Sequence, residues 1–105
     1  MICATMLTRD GQLYGFHLQG HAGAAAHGSD IVCAAVSSAV YMAANTLTEV
    51  CGCAAEIHER DGDLALRVAD TDVQKAQDTL QGLQIHLQGL TAQYPKFIKI
   101  QSTEV

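Results

Sequence analysis

A histidine and a cysteine stand on opposite sides of a loop of small residues in the first third of the chain. His21 precedes the loop and Cys33 follows it. A cysteine is a nucleophile only as its thiolate, and a neighbouring imidazole can hold the proton that the thiol releases and return it to a leaving amine. The two residue types therefore indicate a cysteine–histidine dyad for acyl transfer.

The segment before the loop predicts a strand that ends at the histidine. In residues 13–21 the apolar side chains of Tyr14, Phe16 and Leu18 alternate with small or polar ones, which is the pattern of a half-buried strand. We expect these three on one face and His21 at the strand end, on the other face.

The segment after the loop predicts a central, mostly buried helix. From Asp30 to about Val50 apolar residues recur at helical spacing, and Gly52 follows as a stop signal. Ser29 or Asp30 is the predicted N-cap, so Cys33 falls within the first turn or just after it. Backbone N–H groups at a helix start favour a thiolate and stabilise an oxyanion that develops beside them.

Two polar residues near the cysteine each have two interpretations. Asp30 is either the helix cap or a carboxylate that orients the imidazole, and the cap is the commoner use of Asp at such a position. Ser37 shares a helix face with Cys33, four residues earlier. Its hydroxyl bonds either to the sulfur or substrate, or back to the carbonyl of Cys33.

Two Asp-Gly dipeptides predict two hairpins. Asp10 and Gly11 follow residues 2–9, which alternate apolar and small side chains, and would turn this strand into the strand that leads to the histidine. The second dipeptide, at positions 61 and 62, joins residues 53–60 to 63–69. The residues expected on the inward face of the second hairpin are Leu64, Leu66 and Val68.

A second helix follows the second hairpin. Asp70 and Thr71 are its predicted caps, and Pro95 its predicted end. Gly82 and Gly89 weaken it by about 1 kcal/mol each relative to Ala, so we expect its end to fray or to need packing. The expected core stripe is Val73, Ala76, Leu80, Leu83, Leu87 and Leu90.

The last segment has the composition of a strand at a sheet edge, with lysines at intervals as edge protection. The predicted order is β-β-α-β-β-α-β. This order indicates a single domain over residues 1–105 with an α+β fold, in which two helices cover one face of a largely antiparallel sheet.

The composition of the chain indicates which partners it can bind and where in the cell it is expected. The formal charge of −5 argues against a nucleic-acid partner. A core built mainly from Ala, Val, Leu and Ile, with no Trp, makes a homodimer plausible. We see no leader pattern and no apolar run that approaches about 20 residues, so we expect a cytoplasmic protein that does not enter a membrane.

The remaining cysteines and histidines predict no metal site and no cofactor. Cys3, Cys51 and Cys53 are expected to be inert thiols, because the one-residue spacing of the last two does not fit a zinc site. A metal site formed by His21, His27 and a cysteine is a weaker alternative. The other histidines, which lie at positions 17, 58 and 86, are expected to be ordinary surface side chains.

The cysteine and the histidine could also have purely structural roles. A single cysteine in a helix rich in Ala and Val is often a small buried hydrophobe, and a histidine at a strand end is often only a surface side chain.

The residues around the loop resemble a known family. Gly20-His21-Ala22, followed by a loop and then by the segment SDIVCAAVS that ends at Ser37, is similar to the two motifs of the ribosomal-processing cysteine protease (Prp) family. The resemblance implies that His21 is the base and Cys33 the nucleophile. Asp30 and Ser37 then stand where the motif has its supporting polar residues, and Gly20 belongs to the first motif.

The resemblance also implies a substrate. Members of this family are cytoplasmic, homodimeric endopeptidases that remove the N-terminal extension of large-subunit ribosomal protein number twenty-seven, cutting after paired phenylalanines or similar residues. The chain departs from the family pattern in the predicted substrate loop, where small residues replace bulkier ones; this loop comprises Gly23, Ala24, Ala25, Ala26, His27 and Gly28. The alternative function is a non-catalytic, dimeric binding module of ribosome assembly, which the small, acidic, Ala-rich body would suit.

Overall fold

Five strands and two long helices follow one another in the predicted order β-β-α-β-β-α-β. The computed structural model describes residues 1–21 and 29–105, and for Ser29 and Asp30 the backbone only. The strands are β1 (Ile2–Arg9), β2 (Gln12–Gln19), β3 (Ala55–Arg60), β4 (Asp63–Val68) and β5 (Ile98–Glu104). The helices are α1 (Ser29–Asn45), which continues into a π-helical turn (Thr46–Val50), and α2 (Val73–Gln93), which follows a 3₁₀ turn (Asp70–Asp72).

The strands form one sheet in the order β3-β4-β2-β1-β5. Three neighbouring pairs are antiparallel, and only β1 and β5 run parallel. Both helices cover the same face, and the side chains of α1, α2 and the sheet meet in one apolar core. The expected α+β fold, with two helices on one face of a largely antiparallel sheet, is confirmed.

Both Asp-Gly dipeptides form the predicted two-residue turns. In the first turn Asp10 and Gly11 have φ values of 52° and 78°, which are the positive angles that a tight hairpin between right-twisted strands requires. In the second turn Gly62 has a φ of 71°. The inward face of the second hairpin is also as expected, since Leu66 and Val68 are buried and Leu64 packs against the core.

The first hairpin contains a β-bulge that the alternation does not reveal. Thr8 pairs with Leu13 and Leu7 pairs with Gly15, so Tyr14 has no partner on β1. A bulge of this kind shifts which side chains face the core. As a result Leu13 joins the core cluster.

The bulge corrects the predicted orientation of Tyr14. Instead of joining Phe16 and Leu18 in the core cluster, Tyr14 stacks with two guanidinium groups. The Arg9 and Arg67 Cζ atoms lie 5.2 Å and 5.8 Å from the centroid of its ring. The prediction from strict alternation was wrong here because the bulge adds one residue to β2, which moves Tyr14 to the other face of the sheet.

Helix α1 is the central helix of the fold, and its apolar stripe lies against the sheet. Its buried side chains include Val32, Val36 and Val40, and Leu47 follows in the π-helical turn. The helix ends where predicted: Gly52 has a φ of 68°, and the Cys53 N–H donates to the Leu47 carbonyl. The helix begins at Ser29, and the predicted cap interactions of Ser29 and Asp30 lie outside the described side chains.

The apolar run in this helix is longer than we expected. Ile31–Val50 is a 20-residue helical stretch that is apolar enough, by length and composition, to cross a membrane. The expectation that no apolar run approaches this length was therefore wrong. The physical reason is that a stripe of core valines and a second face rich in Ala together make the whole helix apolar, and core helices of this kind meet the same criterion.

Helix α2 begins later than predicted. Asp70 and Thr71 lie in the 3₁₀ turn, so their assignment as helix caps was wrong. Asp72 immediately precedes the helix, and its carboxylate accepts a hydrogen bond of 2.9 Å from the Ala54 N–H. The Lys75 ammonium lies 3.4 Å from the same carboxylate. Asp72 thus ties the start of α2 to the entry of β3.

The rest of α2 and β5 follow the sequence pattern. The stripe from Val73 to Leu87 is buried, and packing carries the helix through Gly82 and Gly89 to Gln93. Pro95 then terminates the helix as predicted. Strand β5 lies at a sheet edge, beside β1.

We expect Gly15→Ala to destabilise the fold by about 3 kcal/mol, because a Cβ there would overlap the carbonyl oxygen of Leu66 on the neighbouring strand. Gly82→Ala is the control. Among the described residues, no atom beyond the adjacent residues and the backbone of the same helix lies within 4 Å of its Cβ position, and Ala in a helix is favoured over Gly by about 1 kcal/mol. Urea unfolding should therefore shift in opposite directions for the two variants, and equal shifts would contradict the packing described.

Asp72 predicts a specific acid sensitivity. The Ala54 N–H lowers the pKa of its carboxyl most, Lys75 lowers it further, and partial desolvation opposes them, with a net decrease from 3.8. A carboxyl whose pKa is lowered by folding stabilises the fold above its unfolded pKa and loses this effect as the pH falls through its folded pKa. Asp72→Asn should therefore lower the free energy of unfolding at neutral pH, and the deficit should shrink below about pH 4.

The measurement is urea unfolding of both proteins as a function of pH. Asp78→Asn, which removes one carboxylate from an exposed position of α2, is the matched control. A pH-independent deficit in the Asp72 variant would contradict the prediction.

Candidate active site

A pocket of about 420 Å³ opens between α1 and the helix-covered face of the sheet. Gly20, His21, Cys33 and Ser37 all line it. Four of the residues singled out in the sequence therefore face one cavity. Two of them follow β2, before the loop, and two lie in α1, after it.

The floor of the pocket is apolar and its rim is polar. Leu18 and Leu64 contribute from the sheet, and Val36 and Val40 from the helix. The turn between β3 and β4, together with the strand ends that flank it, forms the polar rim; its residues are Glu59, Arg60, Asp61, Gly62 and Asp63. The pocket thus combines a surface for apolar side chains with charged groups at its mouth.

Three backbone features fix the position of His21. Gly20 has a φ of 93°, and a Cβ there would clash with the carbonyl oxygen of Met1. The Gly20 N–H donates to the Gly62 carbonyl at 2.8 Å, and the Met1 nitrogen donates to the His21 carbonyl at 2.6 Å. The glycine before the histidine is therefore required by this close approach of two strands.

The imidazole of His21 lies over the β3–β4 turn. A Cβ at Gly62 would stand 2.7 Å from the His21 Nε2, and the carboxylate of Asp61 lies 4.0 Å from the same nitrogen. The His21 side chain is 58% exposed, so it is accessible to a substrate that enters the pocket. The structure thus places a carboxylate beside the imidazole that differs from Asp30, whose side chain lies outside the described part.

Asp61 is a residue that the sequence interpretation assigned only to a turn. Its proximity to His21 depends on the pairing of β2 with β4, in which Gln19 lies opposite Asp63. No local sequence pattern specifies that pairing, so the contact between Asp61 and His21 could not be predicted.

Cys33 is the fifth residue of α1 and faces the pocket. Its side chain is partly buried and packs against the edge of the core. The interpretation of Cys33 as a small core residue therefore holds for the side that faces the core. The other side lines the cavity with Ser37, one helical turn later. A thiol and an imidazole on one pocket supply the two groups that acyl transfer needs.

The other three cysteines are thiols outside this pocket. Cys53 is a core residue, and burial raises the pKa of its thiol, with smaller contributions from Asp72 and Cys51 that outweigh the opposing effect of Lys75. Burial therefore favours the protonated form of the Cys53 thiol.

A contact between α1 and β3 closes one end of the pocket. The Tyr41 hydroxyl donates a hydrogen bond to a carboxylate oxygen of Glu59, and both residues line the cavity. This bond is the first cause of a raised pKa of Tyr41, followed by desolvation and by the charge of Glu59. The sequence analysis did not single out either residue, because their contact depends on how α1 crosses the sheet.

The predicted substrate loop lies outside the described residues. This applies to Gly23, Ala24, Ala25, Ala26, His27 and Gly28, and to the alternative metal site that would include His27. Within residues 1–21 and 29–105, the structure contains no group of three or more His, Cys, Asp or Glu side chains that could hold a metal ion.

Comparisons with solved structures place the fold in a known group. The chain superimposes on two structures of the essential ribosomal processing protease Prp from S. aureus. One is in complex with a covalently linked product peptide (TM-score 0.87, 27% identity, 98% of this chain and 100% of that chain covered). The other is in complex with a substrate peptide (TM-score 0.88, 26% identity, with the same coverage).

A third similar structure is that of SMU.848 from Streptococcus mutans. Its TM-score is 0.81 at 29% identity, over 100% of this chain and 96% of that chain. No curated protein sequence matches the chain.

The fold and the similar structures define the class: the protein is a cysteine endopeptidase. The family model described as "Cysteine protease Prp" matches residues 1–99, and the chain belongs to that family. The resemblance drawn from the two sequence motifs is thereby confirmed, and the enzyme is favoured over a non-catalytic binding module.

The contact between Gly62 and His21 predicts a selective loss of activity. Gly62→Ala should displace the imidazole, because the new Cβ would stand 2.7 Å from Nε2. Gly11→Ala is the matched control, since Gly11 has a similar φ of 78° in the other hairpin turn. In the part of the chain that the structure describes, no atom beyond the adjacent residues lies within 4 Å of its Cβ position. Both variants should lose about 1 kcal/mol of stability through backbone strain.

Only the Gly62 variant should also lose peptide cleavage, by about tenfold or more, because displacement of a catalytic group slows the reaction strongly. The measurements are initial rates of peptide cleavage and urea unfolding of both variants. Equal activity in the two variants would contradict a role for the turn in positioning His21.

Proposed function

We propose that this endopeptidase processes a ribosomal protein, with Cys33 as the nucleophile and His21 as the general base. The observation that carries the proposal is that these two side chains line one pocket in a chain of the cysteine protease Prp family. The substrate that we propose is the N-terminal extension of large-subunit ribosomal protein number twenty-seven.

The chemistry follows from the two groups. His21 takes the proton of the Cys33 thiol, and the sulfur attacks the carbonyl carbon of the scissile peptide bond. The tetrahedral intermediate collapses as His21 gives its proton to the departing amine, which leaves a thioester. A water molecule, deprotonated by His21, then attacks the thioester, and the thiol and the second product are released.

The start of α1 supplies a further contribution to this mechanism. Cys33 lies just after the first turn of α1, where backbone N–H groups favour negative charge. These groups stabilise both the thiolate and the oxyanion of the tetrahedral intermediate. We propose supporting roles for Asp30 and Ser37 at this end of the helix, and Ser37 lines the pocket.

The pocket supports the proposed cleavage after large apolar residues. The apolar floor can take a phenylalanine side chain, and the pocket is open to an extended peptide. The S. aureus Prp structures contain a substrate peptide and a covalently linked product peptide, which supports a peptide as the substrate here. The net charge of −5 also suits a basic ribosomal protein, because opposite charge accelerates encounter.

We further propose that the protein acts in the cytoplasm as a homodimer. Several large apolar side chains of the two helices are exposed, which supports association with a second copy. Ile31, Met42, Val50 and Ile85 are each between 65% and 79% exposed.

Replacing either member of the dyad should abolish cleavage. Cys33→Ala and His21→Ala should each reduce the cleavage rate of a peptide that spans the N-terminal extension by about a thousandfold or more. Cys3→Ala is the matched control, because Cys3 is a partly buried thiol of β1 that does not line the pocket. Rates should be compared with circular dichroism spectra of each variant, and cleavage by the Cys33 variant at the normal rate would refute the mechanism.

A further inference from the structure

Three residues at four-residue intervals define the pocket-facing side of α1. Cys33, Ser37 and Tyr41 share one helix face and all line the cavity. A rise of 1.5 Å per residue places Tyr41 about 12 Å along the helix axis from Cys33. The helix therefore supplies one wall of an elongated cleft with the proposed nucleophile near one end and Tyr41 at the other.

The sheet supplies the floor of the same cleft. Leu18 lies opposite Leu64, and Leu64 lies opposite Glu59, so these three residues form one cross-strand row on the helix-covered face. The row runs outward from the centre of the sheet to the edge strand β3. Its first two members are apolar, and the last is a carboxylate.

The hydrogen bond between Tyr41 and Glu59 joins the end of the helix wall to the end of this row. An extended peptide advances about 3.3 Å per residue, so a distance of about 12 Å corresponds to three or four residues. A peptide whose scissile carbonyl lies at Cys33 would thus bring a side chain three or four residues away against the Tyr41–Glu59 pair.

The chemistry of the pair selects a cation. Tyr41 donates to Glu59 Oε2, which leaves Oε1 to accept from another donor, and the Tyr41 ring offers a face for a cation–π contact. Tyr41 is 49% exposed, so the ring is accessible. Arg60, the next residue of β3, also lines the pocket, but the three carboxylates of Glu59, Asp61 and Asp63 outnumber its single positive charge.

We infer that Tyr41 and Glu59 form a specificity subsite that binds a lysine or arginine side chain three or four residues from the scissile bond of the substrate. This inference deepens the proposed function and rests on the same pocket. In this subsite Glu59 recognises the positive charge of the substrate side chain, and Tyr41 orients the Glu59 carboxylate.

Peptide binding to the Cys33→Ala variant tests the subsite without requiring cleavage. The probe is a fluorescein-labelled peptide of Ala and Gln residues around a Phe-Phe pair, in which one Lys is moved stepwise along the chain. Binding is followed by fluorescence anisotropy. Lys should tighten binding about two- to fivefold, the usual range for an exposed ion pair, only at a position three or four residues from the scissile bond that follows the Phe pair.

Matched substitutions on one strand separate charge recognition from loss of structure. Adding Glu59→Gln should abolish the Lys preference, measured as the ratio of the affinities of the same variant for the Lys peptide and the all-neutral peptide. Glu56→Gln is the control, because Glu56 lies on the same strand but pairs with Arg67 and faces the other side of the sheet. Tyr41→Phe keeps the ring and removes the hydroxyl, and it should reduce the preference only in part.

The outcomes distinguish this inference from the proposed function. A Lys preference that is absent, that survives Glu59→Gln, or that disappears equally with Glu56→Gln would overturn the subsite. Binding with the predicted preference by the Cys33 variant, together with no cleavage by the unaltered protein, would support the subsite and refute the proposed function.

Discussion

The hydrogen bond from the Gly20 N–H to the Gly62 carbonyl connects the two hairpins at the point where the pocket opens. It extends the β2–β4 pairing beyond the last regular pair, and so it brings the end of β2 against the turn of the second hairpin. Both residues must lack a side chain there, because one meets the Met1 backbone and the other the imidazole of His21. The position of His21 therefore depends on backbone packing between segments that are distant in the sequence.

Helix α1 serves the core and the pocket with two adjacent faces. One face carries the buried valines that pack on the sheet, and the neighbouring face presents Cys33, Ser37 and Tyr41 to the cavity. Because packing against the sheet fixes the rotation of the helix about its axis, it also fixes where the thiol points.

The sequence predicted the parts of this structure that depend on local patterns. The two Asp-Gly turns, both helices, the order of the elements and the edge position of β5 follow from periodicity and turn chemistry. The bulge at Tyr14 escaped prediction because it interrupts a period of two, and the start of α2 escaped it because Asp72 bonds to the distant Ala54. The placement of Asp61 and the Tyr41–Glu59 contact could not be predicted either, since both depend on strand pairing and on how a helix crosses a sheet.

The parallel pairing of β1 with β5 has a consequence for the order in which the molecule is completed. Strand β1 lies between β2 and β5, and the Ile2 N–H donates to the Phe97 carbonyl. During synthesis, the side of β1 that faces away from β2 therefore stays unpaired until residues 98–104 have been made. Ile2 lines the pocket, so the strand that begins at this wall gains its second neighbour only after both helices have been made.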